Sequence, residues 1–396
     1  MKLNKKGFGV AEMAIVILLI GILAAAVIVG FMGIKKNATE HVKEEATKSL
    51  EIIHQTKHAY PTILSKDQKG LKIGEGEYEV YELGGNTIWC DGYYAVRNKG
   101  TLYLSGNGTT DDSSFISGRA DNKKAYSAQY TALLNEKGCL YVSDLIIYAG
   151  ESKNKSGYPA VNVWDGEVYL NNVIIESLNC PIQVLKGSVE IDGVNTLVSN
   201  SYTPRTGGHL MYIASYYGEA KVHIKGGTFR ARNINTWCYS QMGIVTITGG
   251  TFIPTTTGPN KFGLAIQGSK AMKAGFYVSD GGVFNIDGGV FQLYNTEPMF
   301  AGTDGFITIT GGEFKKSISG NAPSTFISGI QEYNADGERI SEIKIFDNPN
   351  DPNDTSRVIF HYSPTSCGWG QYVAEGYEPY EIEAGKLWGV RPVGTP

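Results

Sequence analysis

The sequence predicts a mainly β fold in which a long N-terminal helix precedes a right-handed parallel β-helix, and three observations carry that expectation. Fifty glycines, 24 tyrosines and 15 phenylalanines among 396 residues favour many short strands and tight corners over long soluble helices. A short motif of alternating apolar and polar residues, ending in Gly-Gly, recurs through the second half. An apolar run fills residues 8 to 34, and the chain turns polar after it. Hydrophobic residues at 42% and charged residues at 19% suit a packed core. A formal charge of −4 supplies no bulk positive field, so no nucleic-acid partner is expected.

At roughly 1.5 Å per residue the run from 8 to 34 would extend about 40 Å as a helix, enough for a hydrocarbon layer of about 30 Å. A cell-membrane location by this N-terminal segment is therefore expected. Glu12 alone breaks the run; a carboxylate at that depth costs roughly 2.5–3.5 kcal/mol and needs a cationic partner. From Lys35 to His58 the chain keeps an apolar stripe at Ala38, Val42, Ala46, Leu50 and Ile53, which continues the helix to its end near Pro61. His54 and His58 lie four apart, but the segment lacks the glutamate of a zinc-peptidase helix and reads as a solvated face.

Lys5-Lys6-Gly7, followed by Phe8-Gly9-Val10-Ala11-Glu12 and an apolar helix, resembles the class III leader of type IV prepilins and pseudopilins. The resemblance covers about 30 residues. It implies cleavage after Gly7 by a prepilin peptidase, a methylated N-terminus at Phe8, and Glu12 fifth from the cut. In a filament, the Glu12 carboxylate would meet the Phe8 amine of a neighbouring subunit and fix the stagger. The implied partners are the peptidase, other pilin subunits and an inner-membrane assembly platform. The implied destination is an extracellular filament or an envelope-spanning pseudopilus. Many major pilins carry a helix-breaking proline partway along this helix; Ala26-Val27-Ile28-Val29-Gly30 stands in its place here. An ordinary secretory signal ending at Ala24-Ala25-Ala26 fits less well, because hydrophobicity continues beyond the alanines.

Four copies of the repeat run Val222 to Phe229, Val245 to Phe252, Phe284 to Phe291 and Ile307 to Phe314, with first glycines 23, 39 and 23 residues apart. Weaker copies begin at Leu102, Leu140, Val168 and Val189. Each alternates inward and outward residues and then turns at glycines, where a positive φ costs little. Stacking the copies aligns Leu104, Val142, Leu170, Ile191, Ile224, Ile247, Ile286 and Ile309 in one ladder, and Phe229, Phe252, Phe291 and Phe314 in another. About eight coils at about 4.8 Å spacing are expected. Insertions between copies fit a right-handed parallel β-helix over about residues 100 to 347, with 59 to 99 and 348 to 396 as caps. The copies resemble the β-helix repeats of bacterial surface proteins and pectin-degrading enzymes, a likeness of architecture that names no activity.

Between the inward aliphatic residues of the first copies stand Tyr103, Tyr141 and Tyr169, an outward strip suited to sugar stacking or to packing on another protein. Glu190, His223, Thr246, Asn285 and Thr308 take that position later. A polysaccharide lyase or hydrolase on this fold would need clustered carboxylates; Asp111-Asp112 and His209 are the nearest approach, with 97 residues between Asp112 and His209. Asp347 to Asp354 is rich in oxygen ligands, yet Pro349 and Pro352 make it a stiffened turn. Cys90, Cys139, Cys180, Cys238 and Cys367 form no C-x-x-C pair, and their pairing stays open. No catalytic residue, metal or cofactor is expected. The expected function is a subunit of a type IV pilus or pilus-like filament that displays a β-helix head on the cell surface for adhesion or surface recognition, with surface glycans among its partners. The alternatives are a pilin-anchored polysaccharide-processing enzyme and a pseudopilin of a secretion or DNA-uptake system.

Overall fold

Strands with two-residue alternation bury one side and must find hydrogen bonds sideways, and here they find them between successive turns of one chain. The computed structural model describes residues 55, 57–90, 93–109, 114–118, 131–149, 159–177, 180–200, 209–231, 236–254, 258–259, 265–266, 274–347 and 358–394. The chain divides into a unit of Met1–Thr62 with Tyr78–Tyr81 and a unit of Ile63–Glu77 with Glu82–Pro396. In the smaller unit residues 55 and 57–59 are helical, Lys57 Nζ donates to Glu79 Oε1 at 2.7 Å, and the His58 ring meets Tyr78 edge-on.

The larger unit is a parallel β-solenoid with three strands per turn. The first face comprises Leu71–Ile73, Tyr94–Asn98, Thr131–Asn135, Val161–Val163, Ile182–Val184, Met211–Ala214, Cys238–Gln241, Phe276–Ser279, Phe300–Gly302 and Ile327–Ser328. That 10-stranded ladder gives more turns than the eight expected, and parallel pairing runs beyond residues 100 to 347 at both ends. On the second face Thr101–Ser105, Cys139–Ser143, Glu167–Asn171, Gly187–Asp192, Ala220–Ile224 and Ile244–Ile247 pair in parallel order, continued by Gly282–Gln292, Gly305–Lys315 and Glu342–Ile345. The third face turns inward an unbroken column of Ile88, Ile116, Ile147, Ile175, Val198, Phe229, Phe252, Phe291, Phe314 and Phe360.

The expected aliphatic ladder from Leu104 to Ile309 lies in register, every member is buried, and Ile345 extends it. The phenylalanine rings stack at 4.6, 5.1 and 4.9 Å, and Phe360 adds another 4.9 Å step. Each such pair contributes about 0.5–1.5 kcal/mol beyond burial. Trp369 stacks on Phe360 at 3.9 Å, and the antiparallel hairpin of Tyr377–Glu383 and Leu387–Pro392 pairs with Val358–Phe360, closing a strand edge that would otherwise invite association.

Corners explain the spacing. Gly100, Gly138, Gly166 and Gly187 stand above one another, and a Cβ at Gly166 would lie 2.1 Å from the Gly138 carbonyl oxygen. The turns are therefore as close as bare backbone allows there, with Glu167 N donating to Gly138 O at 2.8 Å. At the Gly-Gly corners the second glycine takes the positive φ, as at Gly250 with φ 93°. A buried amide ladder fills one further corner: Asn98 Nδ2 donates to Asn135 Oδ1, and Asn135 Nδ2 to the Asp165 carbonyl, both at 2.8 Å.

The fold class is corrected on one point. The described protein is mainly β with parallel strands, its helical content being residues 55 and 57–59 and the 3-10 turn Trp369–Tyr372; it contains no long helix of the pilin kind. The helix expected over 8 to 58 falls, apart from 55, 57 and 58, outside the described residues. The expected membrane location and its passage into a filament are corrected with it, because among the described residues no helix is long and apolar enough to cross a membrane. The physical reason is that the described backbone satisfies its hydrogen bonds between turns, not within a helix.

Candidate functional site

The second face places Tyr103, Tyr141 and Tyr169 directly above one another, because Leu102/Leu104, Leu140/Val142 and Val168/Leu170 flank them inward and fix the register. Their rings lie 4.2 and 4.6 Å apart, each pair within 4° of parallel. No sugar ring fits between rings at that separation. The column spends its faces on itself and offers outward a rim of ring edges and hydroxyls. The Tyr169 hydroxyl donates to Glu167 Oε2 at 2.8 Å, and this hydrogen bond, with partial burial, pushes its phenol up to about 12. Burial and the neighbouring Tyr103 push Tyr141 further still. Both phenols are therefore neutral donors at ordinary pH. In the next turns the column becomes Glu190, His223, Thr246, Asn285 and Thr308, and Glu190 is paired with Lys225 at 2.7 Å.

Sequence reasoning missed a second aromatic group. On the first face the outward column reads Asn162, Gln183, Tyr212, Tyr239 and Tyr277. Tyr212 and Tyr239 have centroids 5.2 Å apart and planes 52° apart; Tyr239 and Tyr277 are 5.0 Å and 82° apart. His209 packs edge-on to Tyr239 at 4.9 Å, with its Nδ1 2.7 Å from Thr236 Oγ1. Gln241 ties the group together. Its Oε1 accepts from the Tyr212 and Tyr216 hydroxyls, and its Nε2 donates to Asp280 Oδ2 at 2.7 Å. Burial, aided by the hydrogen bond with Tyr216, pushes the Tyr212 phenol up and keeps it neutral. The available signal was the shared apolar-Tyr start of Met211-Tyr212, Cys238-Tyr239 and Phe276-Tyr277, each opening a strand.

His209 thus belongs to this tyrosine group, while Asp111 and Asp112 lie outside the described residues, as do Gly7, Phe8, Glu12, His54, Asp351 and Asp354. Among the described residues no group of three or more His, Cys, Asp or Glu side chains is placed to hold a metal ion. Cys139, Cys180, Cys238 and Cys367 are free thiols; burial pushes Cys180 and Cys367 up to about 12 and raises Cys238 well above the ordinary thiol range, so these three are weak nucleophiles. No family model matches the chain, and neither a curated protein nor a solved structure matches it.

Proposed function

We propose that this chain is a non-enzymatic subunit of a pilus-like filament whose β-solenoid serves as a recognition head for adhesion. The observation that carries the recognition role is the pair of outward tyrosine columns, held in register on two faces by a stiff parallel core. Rigid aromatic side chains with neutral hydroxyls suit contact with polar surfaces at small entropic cost. The filament role rests on the leader-like segment Lys5 to Glu12 and brings with it a prepilin peptidase and further pilin subunits as partners, with surface glycans as the ligand class. The test is to isolate filaments from the producing cells and sequence the subunit N-terminus by mass spectrometry. The expected product starts at methylated Phe8, and Glu12→Ala abolishes assembly. A secreted chain starting at Val27, or normal assembly of the Glu12→Ala chain, overturns the filament role. Unchanged adherence of cells lacking the chain overturns the adhesive one.

A further inference from the structure

We infer that the first face between His209 and Tyr277 is a binding site for an extended, uncharged polysaccharide, a ligand class that deepens the recognition role and rests on it. Ring geometry separates this site from the Tyr103 column. Stacked rings cover one another, whereas rings inclined by 52° and 82° do not close face on face and can receive the C–H face of a pyranose. The three tyrosines occupy successive turns, at a step of about 4.8 Å, which is close to the advance of one sugar along an extended chain. A polysaccharide lying across the turns would therefore meet one ring per residue.

The polar groups beside the rings choose the ligand's charge. Asp280 accepts from Gln241 and Ser279, and Asp304 accepts from the Asp280 and Gly281 amides and from Thr303. Among the described residues their partners are amides and hydroxyls, not cations, so the described edge of the strip carries negative charge. It suits sugar hydroxyl donors and repels uronates and sulfated chains. At the other end of the column Asn162 Oδ1 is buried without a hydrogen-bond partner. The rim is also held in an uncommon backbone state: Met242 and Asp280 both have left-handed φ, 57° and 52°, and Met242 remains 41% exposed. Such backbone strain persists where the surroundings impose it. Tyr216, 50% exposed, continues the aromatic surface past Gln241.

The experiment is calorimetric titration of the full chain with N-acetylchitohexaose, cellohexaose and mannohexaose, with polygalacturonate and heparin as anionic comparators. At least one neutral hexasaccharide is expected to bind, and Tyr239→Ala and Tyr277→Ala each to weaken it at least tenfold, while Phe306→Ala, at an exposed ring of the second face, leaves it within about twofold. Because the alanine variants can lose stability, the wild-type chain is also nitrated with tetranitromethane. Saturating hexasaccharide should protect Tyr212, Tyr239 and Tyr277 but not Tyr103. The inference is overturned if no neutral hexasaccharide binds, if the anionic chains bind in preference, or if protection falls elsewhere. Cell adherence that persists without hexasaccharide binding sinks this site and leaves the adhesive role standing; binding without adherence does the reverse.

Discussion

Replacing Gly166 with alanine tests what sets the turn-to-turn spacing. Gly166 has φ 81°, and an added Cβ would lie 2.1 Å from the Gly138 carbonyl oxygen and 2.7 Å from its nitrogen. Gly76 has nearly the same φ, 79°, with nothing within 4 Å of the added atom. Gly76→Ala therefore reports left-handed strain alone, about 1–2 kcal/mol. Gly166→Ala adds an overpacking cost of about 1–3 kcal/mol, for about 2–5 kcal/mol in total. The clash cannot be relieved by a side chain moving aside, because the atoms met are backbone, and separating the turns breaks the Glu167 N to Gly138 O hydrogen bond. Urea unfolding gives the global loss, and native-state hydrogen exchange at the Glu167 and Ser188 amides localises it, which matters because repeat arrays need not unfold in one step. Equal destabilisation of the two variants, within about 0.5 kcal/mol, would refute the claim that bare backbone contact sets the spacing.

Tyr141→Ala removes two stacked pairs and should cost about 1–3 kcal/mol beyond lost burial, whereas Tyr141→Phe keeps both rings; equal melting shifts for the two would show that the stack is not stabilising. Tyr169 titrates at about 12 in the folded chain against an ordinary 10.0, so between those values the folded state holds a proton that the unfolded state has released. Its contribution is present below pH 10 and is lost as pH rises through about 12, and urea midpoints from about pH 9 to 12 should fall less steeply in Tyr169→Phe than in wild type. Phe291→Ala should cost about 3–5 kcal/mol, while Phe306→Ala, on an exposed side chain one turn away, should stay within about 0.5 kcal/mol; comparison of their unfolding midpoints checks both.

The inner columns were legible because inward positions repeat one chemistry every second residue and Gly-Gly marks the corner; Ile224 and Ile247 announce their register without help. The turn count was less legible. Early turns bend at single glycines such as Gly138 and Gly166, and Leu71–Ile73 is too short to show alternation. The second-face tyrosines could be placed in one column, but a sequence carries no ring tilt, so face-to-face closure at 4.2 Å had to be observed. The first-face tyrosines escaped notice because Met211, Cys238 and Phe276 hide their common role behind three chemistries, and the insertions between them differ in length.

The change of the third-face column from aliphatic to aromatic between Val198 and Phe229 has a bearing on what survives heating. Tyr103, Tyr141 and Tyr169 belong to turns floored by isoleucine, while Tyr212, Tyr239 and Tyr277 belong to turns floored by stacked phenylalanine. In a stack where each turn leans only on its neighbours, the softer half unravels first. A chain warmed to partial melting would then lose its hydroxyl rim yet keep the tilted rings wound in place, so the surface proposed to meet a glycan would outlast much of the surrounding architecture.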